Sequence, residues 1–110
     1  MRLVKVAAAV LNQTPLDWDG NQSRIVEAVR QAKRDDVSIL CLPELCITGY
    51  GCEDAFFSPG VQETSVQILK TLLPECQGMV VSVGLPMFVS GGLYNTACLI
   101  VAGKIAGFVA

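Results

Sequence analysis

The sequence contains no histidine, and only 16% of its 110 residues are charged. A typical soluble domain carries about 25% charged residues. Histidine is the commonest metal ligand and the commonest general base near neutral pH. Its absence excludes a metal centre or an acid–base site built on imidazole.

Charge of either sign is too sparse to indicate a nucleic-acid or membrane partner. The formal net charge is −2, and the sequence has no basic tract. Nucleic-acid binding and binding to anionic membranes both need clustered lysine and arginine. No apolar run approaches the ~20 residues that span a bilayer. We therefore predict neither nucleic acid nor membrane as a partner.

Apolar residues, in contrast, are abundant for so short a chain. They make up 52% of the sequence, although small domains bury less of their chain than large ones. This excess predicts that some apolar faces lie against further parts of a longer protein or against other subunits. The chain also stops within an apolar strand, whereas domain ends are usually exposed. We therefore expect residues 1–110 to be the N-terminal portion of a larger domain.

The number of cysteines is odd, and most lie in apolar contexts. They are Cys41, Cys46, Cys52, Cys76 and Cys98. Buried free thiols in a reducing compartment explain this pattern better than a disulfide framework. The apolar start of the chain is not typical of a signal peptide, because Lys5 interrupts it and Asn12 and Gln13 end it early. We therefore predict a cytoplasmic protein. We also predict no metal site, since the spacing of the first three cysteines does not match zinc sites.

Hydrophobic periodicity predicts an α/β fold with the element order β-α-β-α-β-β-β. Continuous apolar runs indicate strands covered on both faces, and apolar residues at i, i+3, i+4 and i+7 indicate helices. The first helix ends near Arg34, with Asp19 or Asn21 as N-cap, and the second starts at Ser58 and Pro59 and ends at Pro74. The predicted strands are Leu3–Leu11, Val37–Leu42, Met79–Leu85, Leu93–Val101 and Lys104–Ala110.

One carboxylate, Glu44, lies in a strongly apolar neighbourhood, LPELCITGYG at residues 42–51. Its flanks predict poor hydration, and a poorly hydrated carboxylate takes up a proton more readily, as a general base near neutral pH must. It also follows a strand that we expect to be central, and active-site groups of α/β proteins gather at such strand ends. The alternative is a solvated loop residue or a helix cap, and the residues alone leave both open.

Three segments resemble the nitrilase (carbon–nitrogen hydrolase) superfamily, in the right order. LPELCITGY is similar to its first catalytic signature, in which a glutamate follows the second strand after a proline. VAAAVLNQTPLDWDGN is similar to its first strand and loop, and YNTACLIVAGKIAGFVA to its strand hairpin. Within the superfamily, TGYGCEDAFF resembles the segment after the glutamate in glutamine-dependent NAD synthetases.

The resemblance implies a four-layer α-β-β-α sandwich, of which these residues supply part of one sheet and its helices. It also implies amide hydrolysis by a Glu-Lys-Cys set, with Glu44 as general base. The lysine is expected just past Ala110 and the nucleophilic cysteine later still, so neither is assigned here. Tyr50 is the candidate substrate-binding residue, with a structural aromatic as the alternative. Asn95 is interpreted as a turn or strand-start residue.

For the whole protein, the resemblance implies glutamine as substrate and a C-terminal synthetase domain of the same chain as partner. That domain would use ammonia, ATP and Mg²⁺ to amidate nicotinic acid adenine dinucleotide. Members of the superfamily commonly associate through their helices, so a homo-oligomer is expected. Two alternatives remain open: a stand-alone amidase or carbamoylase, and a non-catalytic scaffold with the same fold.

Other thiols and amines near the signature are weaker candidates. Cys46 could pair with Glu44 but would lack an oxyanion partner. Lys5 and Lys104 do not match the family's lysine position. The remaining thiols are interpreted as core for Cys41 and Cys98, as a partly exposed loop residue for Cys52, and as packing for Cys76.

Overall fold

The computed structural model describes residues 3–110, so Met1 and Arg2 of the predicted domain lie outside the described part. One mixed sheet has the strand order β1-β2-β3-β4-β5, parallel from β1 to β3 and antiparallel from β3 to β5. This confirms the predicted α/β class and element order. The strands are β1 (Val6–Ala8), β2 (Ile39–Cys41), β3 (Val80–Val89), β4 (Gly92–Val101) and β5 (Lys104–Val109). The helices are α1 (Trp18–Arg34) and α2 (Pro59–Leu72), with short 3₁₀ helices at Glu53–Phe57 and Leu73–Cys76. In the range 3–110, no helix is both long and apolar enough to cross a bilayer.

Both α-helices pack on the same face of the sheet. Ile25 and Val29 of α1 and Leu69 and Leu72 of α2 are almost completely buried there. Successive residues of a strand point to opposite faces, so every second strand residue joins this core. The strand residues that complete it are Leu40, Val81, Val83, Leu85, Cys98 and Ile100.

The opposite face of the sheet is apolar and exposed. Val6, Ile39, Val80 and Val101 align across β1 to β4, and Val6 is 64%, Ile39 43% and Val101 44% exposed. The expectation that the first two strands are covered on both faces is therefore wrong within the described residues. An apolar sheet face of this kind normally lies against another layer of structure.

The first two strands are shorter than their apolar runs. Only three residue pairs join β1 to β2, starting with Val6 and Ile39 and ending with Ala8 and Cys41. The predicted first strand was longer at both ends, yet Leu3 is 85% and Val10 98% exposed. Apolar sequence therefore extends beyond the hydrogen-bonded ladder.

The helix boundaries differ from the sequence prediction at the start of α1 and at the end of α2. Asp17, not Asp19 or Asn21, caps α1, because its carboxylate accepts a hydrogen bond from the backbone N–H of Gly20 at 3.2 Å. Ser58 does hold the N-cap position of α2, but its side chain makes no capping hydrogen bond. The second helix ends at Leu72, and Pro74 lies in the 3₁₀ helix that follows.

Candidate active site

The loop after β2 carries Glu44 along the edge of β3. Strand β2 pairs with β3 only as far as Cys41 and Ser82, so the edge of β3 beyond Ser82 is free to receive the loop. The backbone N–H of Ile47 donates to the carbonyl of Gly84 at 3.2 Å. The loop therefore continues the contact with β3 after the strand pairing has ended.

A very close approach of two backbones sets the course of this loop. A Cβ atom on Gly84 would lie 2.4 Å from the Leu45 nitrogen and 2.8 Å from the Pro43 oxygen. Leu45 also has a left-handed backbone, with φ of 50°, which is uncommon outside glycine and is concentrated at functional sites. Leu45 and Cys46 turn into the core, at 8% and 1% exposure, while the side chain of Glu44 points outward.

A buried polar network fastens the same loop to the segment between β1 and α1. The side chain of Asn21, which is completely buried, accepts from the Thr14 N–H at 2.9 Å and donates to the Thr14 carbonyl at 2.8 Å. Next to it, the Gln13 amide donates to the Cys46 carbonyl at 2.8 Å. Buried polar groups left without partners cost about 1–3 kcal/mol each, so this network resists movement of the loop.

Glu44 lines an open crevice of about 370 Å³ on the exposed face of the sheet, beside the β3–β4 hairpin. Its side chain is exposed, because the helices cover the opposite face of the sheet. The expectation that Glu44 is poorly hydrated is therefore wrong for residues 3–110. The side chain is not free, however: the Asn95 amide Nδ2 donates a hydrogen bond to Glu44 Oε1. Ser82 and Ala97 form part of the crevice wall.

Asn95 lies inside β4, opposite Pro86 of β3. The interpretation as a strand-start residue placed it in the right element but missed its contact with Glu44, 51 residues earlier. The alternation of side chains between the two faces of β4 could have indicated this contact. Asn95 shares a face with Ala97 and Leu99, so a polar side chain interrupts an apolar row.

Tyr50 lies away from the crevice. It is 69% exposed and follows Gly49, whose φ of 88° turns the chain, and it is not among the crevice-lining residues. The structure therefore does not bring Tyr50 and Glu44 together in one cavity. Its substrate-binding role stays a prediction.

Residues 5–108 match the carbon-nitrogen hydrolase family. The chain belongs to that family. This confirms the resemblance found in the signature around Glu44 and in the hairpin that carries Asn95.

Named relatives of this carbon-nitrogen hydrolase are much longer proteins. It is 36% identical over 106 residues to a putative glutamine-dependent NAD(+) synthetase of Schizosaccharomyces pombe, covering 94% of this chain and 15% of that protein. It is 38% identical over 96 residues to a glutamine-dependent NAD(+) synthetase of Drosophila melanogaster, covering 86% and 12%. A crystal structure of a glutamine-dependent NAD(+) synthetase from Cytophaga hutchinsonii superposes with a TM-score of 0.93 at 46% identity, covering 96% and 18%. The chain thus spans roughly one seventh of the curated relatives it matches, 15% in the first case.

A carbon-nitrogen hydrolase that attacks through sulfur needs an accessible thiolate, and Cys46 does not supply one. It is 1% exposed, and burial raises the pKa of its thiol to about 11. Its Sγ donates to the Gly84 carbonyl at 3.8 Å. A buried thiol in apolar surroundings is inert, so Cys46 is a packing residue despite its closeness to Glu44.

The other thiols divide differently from the sequence interpretation. Burial raises the pKa of Cys76 and of Cys98 to about 11, in keeping with packing and core roles. Cys41, interpreted as core, is exposed instead and lines the crevice. Cys52, interpreted as partly exposed, is buried and donates to the Thr48 and Gly49 carbonyls at 3.4 and 3.3 Å.

Within the described residues, the crevice has neither a lysine in its lining nor a set of side chains placed to bind a metal ion. Neither Lys5 nor Lys104 is among the crevice-lining residues. Between residues 3 and 110, no group of three or more cysteine, aspartate or glutamate side chains is placed to hold a metal ion.

Alkaline pH is expected to destabilise the fold through Cys46. Its pKa is raised from 9.0 to about 11 in the folded chain, so between these values the unfolded chain has lost a proton that the folded chain keeps. The contribution of Cys46 to the free energy of unfolding should therefore be constant below pH 9.0 and fall as pH rises toward 11, and Cys76 and Cys98, whose pKa values are raised in the same way, should add to the fall. Denaturant titrations across this range measure the fall. Cys46→Ala should make the fall shallower; a slope equal to that of the wild type would contradict the assignment.

Proposed function

We propose that residues 1–110 are the N-terminal portion of the glutaminase domain of a glutamine-dependent NAD synthetase. The observation that carries the proposal is the position of Glu44, at the end of a β-strand, in a crevice of a carbon-nitrogen hydrolase fold. The similarity to proteins and to a crystal structure named as such synthetases supports this subgroup.

Glu44 acts as the base in the proposed reaction. Its carboxylate takes the proton of a cysteine thiol, and the thiolate attacks the carboxamide carbon of glutamine. The tetrahedral intermediate collapses by breaking the carbon–nitrogen bond, and ammonia leaves with a proton returned by Glu44. A water molecule, deprotonated by Glu44, then hydrolyses the thioester to glutamate. The attacking cysteine and the oxyanion-stabilising lysine belong to later parts of the domain.

The exposed sheet face supports the proposal that this is one portion of a domain. Val6, Ile39, Leu99, Val101 and Val109 are between 37% and 64% exposed on this apolar face. A second sheet of the same domain, as the family fold implies, would cover them. It would also enclose the crevice, and thereby remove water from around Glu44.

Partners of the whole protein belong to the same proposal. Glutamine is the substrate, and the C-terminal synthetase domain receives the ammonia. ATP and Mg²⁺ act in that domain, and the proposed hydrolysis uses neither. Association with further copies of the chain, which the family resemblance implies, is part of the same proposal. Free thiols at all five cysteines support a cytoplasmic location.

Nitrogen transfer from labelled glutamine tests the proposal directly. The full-length protein is incubated with ATP, nicotinic acid adenine dinucleotide and glutamine labelled with ¹⁵N in its side-chain amide. We expect the label in the carboxamide of the NAD that forms, and mass spectrometry detects it. Hydrolysis of glutamine without NAD would indicate a stand-alone amidase. If neither reaction occurs while labelled ammonium also fails, the scaffold alternative is correct.

A further inference from the structure

We propose that Asn95 is a positioning residue that fixes the carboxylate of Glu44 for proton transfer. Its side-chain amide holds Oε1, and this leaves Oε2 free to accept the thiol proton. The inference rests on the proposed glutaminase function and adds a specific role for a residue of β4.

The two side chains come from different kinds of element, a loop and a strand. Glu44 lies on a loop, and its exposed side chain has three rotatable bonds. Asn95 lies within the β3–β4 ladder, where it pairs with Pro86 on the neighbouring strand. The hydroxyl of the next residue, Thr96, donates a hydrogen bond to the Leu85 carbonyl at 2.8 Å. A hydrogen bond from a side chain on a paired strand therefore limits the orientations of this exposed carboxylate. Reacting groups that are misplaced by about 1 Å can lose about 100-fold in rate.

The chemistry of the donor is also suited to a base. A lysine or arginine in place of Asn95 would add a positive charge to that of the oxyanion-stabilising lysine, and would further favour the ionised carboxylate over the protonated one. An amide orients the carboxylate through a charge-assisted hydrogen bond without bringing a positive charge. The ion pairs found among residues 3–110 join Arg24 to Asp17, Arg30 to Glu75, and Arg34 to Glu27. None of them involves Glu44, so within this range Asn95 is its polar side-chain partner.

Two substitutions at Asn95 separate positioning from packing. Asn95→Ala removes the donor, and Asn95→Asp keeps the size of the side chain but sets a second carboxylate against Glu44. In the full-length protein we expect both to lower kcat for glutamine by about 10- to 100-fold, with KM changed by less than about twofold. The aspartate variant should be at least as impaired as the alanine variant, because two close carboxylates repel.

A packing role would give the opposite order. Aspartate has the shape of asparagine, so Asn95→Asp would then retain its rate, and Asn95→Ala would lose rate in proportion to its loss of thermal stability. That order, or a loss that appears in KM and not in kcat, would overturn the inference. Ammonia-dependent NAD formation should stay at the wild-type rate in both variants, and its loss would likewise indicate a structural effect.

Matched controls keep this result distinct from the outcome for the proposed function. Gln67→Glu makes the same change from amide to carboxylate on the exposed side of α2 and should leave kcat unchanged. If wild-type protein does not hydrolyse glutamine, the proposed function and this inference fail together. If wild-type hydrolyses glutamine and Glu44→Gln does not, while Asn95→Asp keeps full kcat, only the role of Asn95 is wrong.

Discussion

Replacing Glu44 by glutamine should lower glutamine-dependent NAD formation by about 100-fold or more, because a positioned general base contributes about 10²- to 10⁴-fold to rate. Glutamine keeps the shape of the side chain and can still pair with Asn95, but it cannot accept the thiol proton. Ammonia-dependent NAD formation should stay within about twofold of wild type, because free ammonia bypasses the hydrolytic step. Initial rates with each nitrogen donor, measured on the full-length protein, give both values.

A second carboxylate provides the control for this experiment. Glu63 is exposed on α2, and Glu63→Gln removes the same charge without touching the crevice. Its rates with both nitrogen donors should match wild type. Substantial glutamine use by Glu44→Gln would remove Glu44 from the mechanism, and equal loss with both donors would show that the substitution damages the fold instead.

The position of Glu44 could be predicted from the sequence because its determinants are local. An apolar run that ends at Pro43 fixes where β2 stops, and a carboxylate directly after a strand end lies at the edge of the sheet. Its contact with Asn95 depends on the register of β3 with β4, which pairs Pro86 with Asn95. That register places residues 51 positions apart side by side, and composition or periodicity in either segment does not encode it.

Coverage of the sheet within residues 3–110 differs from the prediction for a reason that connection geometry explains. Apolar strands show that a face will be buried, but not which layer buries it. Strands β1, β2 and β3 are parallel neighbours, and α1 and α2 each connect one to the next in the same direction. Such crossovers are right-handed in about 98% of cases, so both helices must lie on one face. Ile39 and Cys41 on the other face are left exposed, and Glu44 is hydrated with them.

Gly84 carries the second large expected effect, because the loop that holds Glu44 passes directly against it. In Gly84→Ala the new Cβ would lie 2.4 Å from the Leu45 nitrogen, and a backbone atom cannot rotate out of the way as a side chain can. The loop or β3 must shift by roughly 1 Å. We expect the free energy of unfolding to fall by about 3 kcal/mol, the upper part of the range for overpacked sites. Glutamine-dependent activity should fall by about 100-fold, because Glu44 moves with the loop.

Gly60→Ala is the matched control, and the comparison between the two variants tests the cause. The nearest atom to a Cβ on Gly60 is Ser58 Oγ at 3.7 Å, an ordinary contact, and Gly60 is exposed in the first turn of α2. Alanine there should leave stability unchanged or raise it by up to about 1 kcal/mol, with full activity. Denaturant unfolding and glutamine hydrolysis are measured on both variants. If Gly84→Ala kept wild-type activity, the crevice would tolerate a displaced Glu44, and a fixed carboxylate would not be a requirement of the site. If Gly84→Ala lost activity with unchanged stability, the loop would have moved without strain in the core.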